Sequence, residues 1–159
     1  MLKNRIKKGF VCGIDIGGTK ILIAKISENG ILKRRVRFPT SDGKSKKVLG
    51  KIIAEVKKFE NISSIGISIA GDVDSKNGIL RYSPNLPKWT NVHLKKYFEK
   101  KLNVPTVVDN DANCAAYGSY VIDGKGKYKN FITITLGTGV GGGIILGGKL
   151  YRGSTGSAG

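Results

Sequence analysis

Two short apolar strands that each run into a glycine-rich turn constrain this chain more than anything else in it. The first reads Phe10-Val-Cys-Gly-Ile-Asp-Ile-Gly-Gly-Thr-Lys20 and the second Phe131-Ile-Thr-Ile-Thr-Leu-Gly-Thr-Gly-Val-Gly-Gly-Gly143. Each turn leads into a further apolar run, Ile21 to Ile26 and Ile144 to Leu146. A turn without side chains lets backbone N–H groups converge on an anion, commonly a phosphate. Two such turns from a repeated element suit a polyphosphate held between two lobes.

Neither turn fits the commoner nucleotide motifs. Gly13 to Lys20 approaches a P-loop, but its order is Gly-Thr-Lys, and the β-branched run Ile21 to Ile26 reads as a strand where a P-loop needs a helix. Gly137, Gly139 and Gly142 satisfy the dinucleotide fingerprint, yet Gly141 to Gly148 is a poor helix. A plain hairpin turn accounts for one such loop more easily than for two.

Periodicity supplies the rest of the outline. Strands are expected at 10–15, 21–27 and 31–38, the last ended by Pro39. Val48, Leu49, Ile52, Ile53, Val56 and Phe59 recur at helical spacing. A strand at 64–70 follows, then an irregular stretch over 73–91. Asn91 is expected to cap a helix carrying Leu94, Tyr97, Phe98 and Leu102. A strand at 105–108 leads into a helix from Ala112 to about Ile122. The order predicts an α/β fold with a mixed five-stranded sheet and flanking helices. Domain one then spans 1–122, a linker 123–130, and 131–159 begins a duplicated second domain.

Polar residues cluster where strands end. Asp15 lies within an apolar strand beside the first turn, where a bare carboxylate is costly unless paired or bound to metal. Asp109-Asn-Asp-Ala-Asn113 ends a buried strand and opens a helix, at the sheet edge where α/β folds bind ligands. One capping residue suffices there, and the segment offers four polar candidates. Asn85 sits between Pro84 and Pro87 with Trp89 nearby, in a loop stiff enough to present an amide to a sugar. His93, the sole histidine, reads as a surface or capping residue, which argues against a histidine-based triad or zinc site.

The chain has 28 basic and 11 acidic residues, a net charge of +17. The cations are mostly lysines scattered along the whole length, without interleaved aromatic residues, so a solvated surface is expected rather than a specific nucleic-acid face. Cys12 and Cys114 lie far apart without a CxxC, which suits free thiols in a reducing compartment. No secretory leader or membrane span is recognised, and a cytoplasmic location is expected.

Taken together, these segments resemble the N-terminal half of the ROK family of repressors and sugar kinases, within the actin-like ATPase (ribonuclease H-like) superfamily. Gly13 to Lys20 looks like the family's first phosphate motif and Ser83 to Trp89 its sugar-side loop. Asp109 to Ala116 looks like its catalytic segment and Leu136 to Gly143 its second phosphate motif. The resemblance implies ATP-dependent phosphorylation of glucose or an N-acetylhexosamine, at the 6-hydroxyl. Asp111 would be the general base, and Asn110 and Asn85 would bind the sugar. Asp15 would help place magnesium. Gly17, Gly18, Thr19, Lys20, Thr138 and Gly139 would hold the nucleotide phosphates. The small-molecule sugar and nucleotide are then the partners, with no specific nucleic acid and no membrane; a homodimer is open for the full-length parent. The family's zinc-binding cysteine cluster is absent from this chain, so an inactive N-terminal fragment is expected. A non-catalytic binding module, a repressor of the same family and polyphosphate as the donor are the alternatives.

Overall fold

The computed structural model describes residues 9–40, 44–124, 127–137, 139–156 and 158–159. Its centre is a five-stranded sheet. Strands β1 (Phe10–Ile16), β2 (Lys20–Ile26) and β3 (Leu32–Pro39) form an antiparallel meander, and β4 (Ile62–Ile69) joins β1 in parallel. Helix α1 (Ser45–Val56) connects β3 to β4.

After β4 the chain makes a small antiparallel sheet of β5 (Asp72–Asp74), β6 (Ile79–Tyr82) and β7 (Thr90–His93). Helix α2 (Leu94–Leu102) follows, and β8 (Thr106–Asn110) pairs in parallel with β4. The large sheet therefore runs β3-β2-β1-β4-β8. Helix α3 (Asp111–Ile122) leads to a third sheet, β11-β10-β9, built from β9 (Phe131–Leu136), β10 (Val140–Leu146) and β11 (Lys149–Tyr151).

The strand period of two divides the large sheet into unlike faces. Cys12, Ile14 and Ile16 of β1, Ile21 and Ile23 of β2, and Ile65, Ile67 and Ile69 of β4 are all buried. They meet Val48, Leu49, Ile52, Ile53 and Val56 of α1 and Leu94 and Phe98 of α2. Burying each such side chain stabilises the fold by about 1.5–3 kcal/mol. The alternate positions include many small or polar residues, Gly13, Asp15, Ala24, Ser64, Gly66, Ser68 and Asp109, beside Val11, Leu22 and Val107.

Two expectations need correction. The stretch 73–91 is not irregular throughout, because it contributes β5, β6 and β7. Nor does Asn91 cap α2. It lies within β7 at φ 52°, a left-handed conformation that asparagine tolerates, while His93 holds the capping position without a side-chain hydrogen bond. The far end of α2 is closed by Asn103 at φ 53°, with Lys100 and Lys101 against the negative end of the helix dipole.

The third sheet packs on α3. A side chain at Gly143 would strike the Ala116 Cβ and meet the Ala112 carbonyl oxygen at 3.0 Å, so the strand approaches the helix as only glycine permits. Phe131 lies 6.0 Å from the Tyr120 ring. On the opposite face, Ile132, Ile134 and Leu136 are 67%, 67% and 81% exposed. An outward apolar stripe of this kind marks a surface awaiting a partner.

Candidate active site

Parallel strands β1, β4 and β8 end side by side, and their last residues build the site. Asp15, Ser68 and Asp109 occupy neighbouring register positions on the small-residue face. The Ser68 hydroxyl donates to Asp15 Oδ1 at 2.9 Å. Asp15 is thus half-buried among small and polar residues, not within the apolar core that the strand pattern suggests.

Asn110 caps α3. Its Oδ1 accepts from the N–H groups of Ala112 at 2.8 Å and Asn113 at 3.2 Å. One N–H of its amide donates to the Gly71 carbonyl at 3.0 Å, and the other has no partner among the described residues. Asp111, the next residue, is exposed. Its Oδ1 accepts from Ala112 N–H at 3.0 Å, while its second oxygen has no partner among the described residues and stays available. Asn110 thus does most of the capping and leaves one Asp111 carboxylate oxygen unpartnered among the described residues.

Asp109, one of the four polar candidates of this segment, has partners of its own. Its Oδ1 accepts from the Asn110 N–H at 2.9 Å and the Asn113 amide at 3.2 Å. Its Oδ2 receives both Nε (3.0 Å) and Nη2 (2.6 Å) of Arg152, which follows β11. This charge-assisted pair fastens the third sheet to the end of β8. No sequence signal marked Arg152, a lone cation before a Gly/Ser-rich stretch. Asn113 is buried, and its Oδ1 has no partner among the described residues.

The first glycine turn closes on itself through Gly17 N–H to the Lys20 carbonyl at 3.0 Å. Thr40 fastens it from the end of β3, donating its N–H to the Thr19 carbonyl at 2.9 Å and its hydroxyl to the Gly17 carbonyl at 2.7 Å. The N–H groups of Gly18 and Thr19 have no partner among the described residues. Gly18 is needed for close approach: a Cβ there would lie 2.8 Å from Asn85 Cβ and 2.9 Å from its carbonyl oxygen. Asn85, within the turn closed by Leu86 N–H to Ser83 and ahead of that closed by Trp89 N–H to Leu86, is thereby seated beside the glycine turn. Buried Leu86 and Trp89 anchor its loop.

In the second glycine turn Gly137 N–H bonds the Gly139 carbonyl at 2.9 Å. Thr138 lies outside the described residues. The run also divides: Gly137 and Gly139 form the turn, whereas Gly141 and Gly143 serve the contact with α3. Burial pushes the thiol of Cys114 up to about 12, reinforced by the negative charges of Asp109, Asp111 and Asp15. The thiol therefore stays protonated at neutral pH. Among the described residues no group of three or more His, Cys, Asp or Glu is placed to hold a metal ion. No described helix is long and apolar enough to cross a membrane.

This architecture, with glycine turns and a carboxylate at the strand ends, is that of the actin-like ATPases. Within that class the chain belongs to the ROK family, which it matches over residues 11–159. It is 38% identical over 152 residues to a glucokinase of Streptomyces coelicolor, covering 94% of this chain and 48% of that protein. The ROK glucokinase of Streptomyces griseus, solved with glucose and AMPPNP, superposes with a TM-score of 0.84 at 38% identity, over 94% of this chain and 48% of the other. An inorganic polyphosphate/ATP-glucomannokinase of an Arthrobacter strain gives 0.74 at 27% identity, over 92% and 62%. A repressor and a transcriptional regulator are also among the similar proteins. The chain spans about half the length of the curated relatives it matches.

Proposed function

We propose that the whole protein to which this chain belongs transfers a phosphoryl group from ATP to a hydroxyl of glucose or an N-acetylhexosamine, the 6-hydroxyl being the expected acceptor. One observation carries this reading: Asp111 offers an unpartnered carboxylate oxygen at the end of β8, and Asn110 beside it retains a free amide N–H. The S. griseus glucokinase, with glucose and AMPPNP bound, supports the substrate classes.

Asp111 accepts the proton of the sugar hydroxyl as that oxygen attacks. Asn110 and Asn85 hold the sugar, Asn110 through its remaining N–H. The N–H groups of Gly18 and Thr19, with Lys20, receive phosphate oxygens, and Gly139 with Thr138 does so from the other side. Asp15 would hold magnesium, which supplies charge neutralisation on the phosphates; an ion bound this way needs only one or two carboxylates, with water and phosphate completing its shell. Asp109, bound to Arg152, keeps the Asn110 and Asn113 segment in place.

The division at 122 and 130 enters the same proposal. Residues 131–159 begin a second lobe, and the outward stripe of Ile132, Ile134 and Leu136 is the face its remainder covers. The decisive experiment measures ADP release with MgATP and a panel of hexoses, for this chain and for a version extended past Gly159. The extended protein is expected to turn over with sugar, and Asp111→Asn to lower its rate by about 10²–10⁴-fold. Unchanged turnover in Asp111→Asn would remove the general base from the reading.

A second donor deserves a place because the net charge of +17 favours it. Inorganic polyphosphate offers the same terminal phosphoryl group without a base to recognise.

A further inference from the structure

Arginine is concentrated on one strand edge, and there it lacks the carboxylates it holds elsewhere. Lysine outnumbers arginine 22 to 6 in this chain, yet Arg34, Arg35 and Arg37 fall within four residues of β3. Outside β3 the described arginines are Arg81 and Arg152. Arg81 pairs with Asp72 at 3.1 Å, and Arg152 pairs with Asp109 at 2.6 Å. The three arginines of β3 are exposed and make no ion pair among the described residues. Arg34 lies over the Phe59 ring, while Arg35 and Arg37 face water.

β3 is also the end strand of the five-stranded sheet. Strand β2 takes one side of it, and its outer row of N–H and carbonyl groups meets no strand among the described residues. Such an edge is a template for a further strand. The usual guard against that is lysine, a hydrated point charge. Arginine repels a second copy of the same edge equally well, but its planar fork also matches a carboxylate through two parallel N–H bonds. The edge is thus closed to itself and open to an acidic strand.

Register fixes what that strand carries. Lys33 is unpaired at a bulge, and Pro39 has no N–H, so residues 34–38 form the regular stretch between them. Arg35 and Arg37 share one face. Val36 and Phe38 lie on the other, half-buried against the core. A strand added here places its side chains on the same faces as the residues they oppose. Carboxylates two residues apart in an extended peptide are about 7 Å apart, the spacing of Arg35 and Arg37. The residue between them falls beside Val36 and is best apolar. A nucleic acid is the poorer match. It offers no peptide groups to the edge, and no aromatic residue of β2 or β3 shares the face of Arg35 and Arg37 for bases to stack on.

We propose that residues 34–38 of the β3 edge dock an acidic segment of a partner protein, which adds as an antiparallel strand with carboxylates on Arg35 and Arg37 and an apolar residue beside Val36. This docking is independent of the kinase reading, since none of these residues belongs to the site at the ends of β1 and β8.

The test is calorimetric titration of the protein extended past Gly159 with a capped peptide, Thr-Glu-Val-Glu-Val-Thr, together with hydrogen exchange of the β3 amides. The peptide is expected to bind and to protect amides of β3. Replacing both of its valines by proline keeps the charge and removes backbone donors, and should weaken binding by about tenfold or more. Arg35→Ala/Arg37→Ala should weaken binding about fivefold or more. Arg35→Lys/Arg37→Lys keeps the charge without the fork and should fall between that variant and the parent; thermal melts matching the parent exclude misfolding. Lys57→Ala/Lys101→Ala removes two exposed cations elsewhere and should bind as the parent does. The proposal falls if that control weakens binding equally, if the lysine variants bind as tightly as the parent, or if the proline peptide binds as tightly as the first. It falls equally if exchange on β3 is unchanged, if single-stranded DNA binds as tightly and loses as much in the alanine variant, or if only the unextended chain binds, which would mean that the rest of the protein covers the edge.

Discussion

The two glycine turns are near repeats in sequence and differ in nearly everything around them. The first joins strands inside a five-stranded sheet, where Ile14, Ile16, Ile21 and Ile23 are at most 2% exposed. The second joins strands that each carry outward apolar side chains, with Val140 and Leu136 each 81% exposed. In the first turn a glycine admits Asn85; in the second run glycines admit a helix. One local pattern thus supports two tertiary jobs, and the partner it meets decides which.

Substitutions that strain the contrast should differ most in the strands. Ile23→Ala is expected to cost about 2–5 kcal/mol, because it opens a cavity in the core. Ile134→Ala, three residues before the second turn and exposed, should stay within about 0.5 kcal/mol. Urea unfolding of both variants measures the difference, and equal losses would mean that the β9 face is covered in solution.

A smaller effect separates the glycines. Gly143→Val should destabilise by about 1–3 kcal/mol through overpacking against Ala116 and the backbone of α3. Gly139→Ala should be nearly neutral to stability, since a Cβ there meets nothing within 4 Å. Gly18→Ala falls between them, forcing the Asn85 backbone to retreat. Thermal melts rank the three; a destabilising Gly139→Ala would show that the second turn is packed as tightly as the first.

The last contrast is one of pH. Burial pushes both Cys12, in the first strand, and Cys114, in α3, up to about 12. An unfolded thiol ionises nearer 9, so the folded chain holds these protons while the unfolded chain releases them. Stability from this source is complete below about pH 9 and is lost as pH rises toward about 12. Unfolding midpoints of the parent should fall more steeply over that window than those of Cys12→Ala/Cys114→Ala. Identical slopes would assign the alkaline loss to lysines instead.

The large sheet was legible because its strands are long enough for alternation to show and because glycine, proline and asparagine mark their ends. Strands β5 to β7 were not, since three or four residues each, several of them Asp, Thr or Asn, carry no readable period. Asn91 misled for a related reason: the side chain that suits a helix cap also suits a left-handed strand residue, and only the fold chooses. Among site residues, Asp109 to Asn113 stood out by density of polar groups at a strand end. The pairing of Asp109 with Arg152 could not, because a lone contact between residues 43 positions apart leaves no local trace.

Thr40 gives the first turn more than an anchor. A trans peptide points its carbonyl and its N–H in opposite directions. By holding the Gly17 carbonyl on the β3 side, the Thr40 hydroxyl fixes the plane that contains the Gly18 N–H and aims that donor outward. A peptide free to rotate would present carbonyl oxygen to an incoming anion part of the time, with repulsion where attraction is needed. The polarity of the turn is thus set in advance by a side chain outside it.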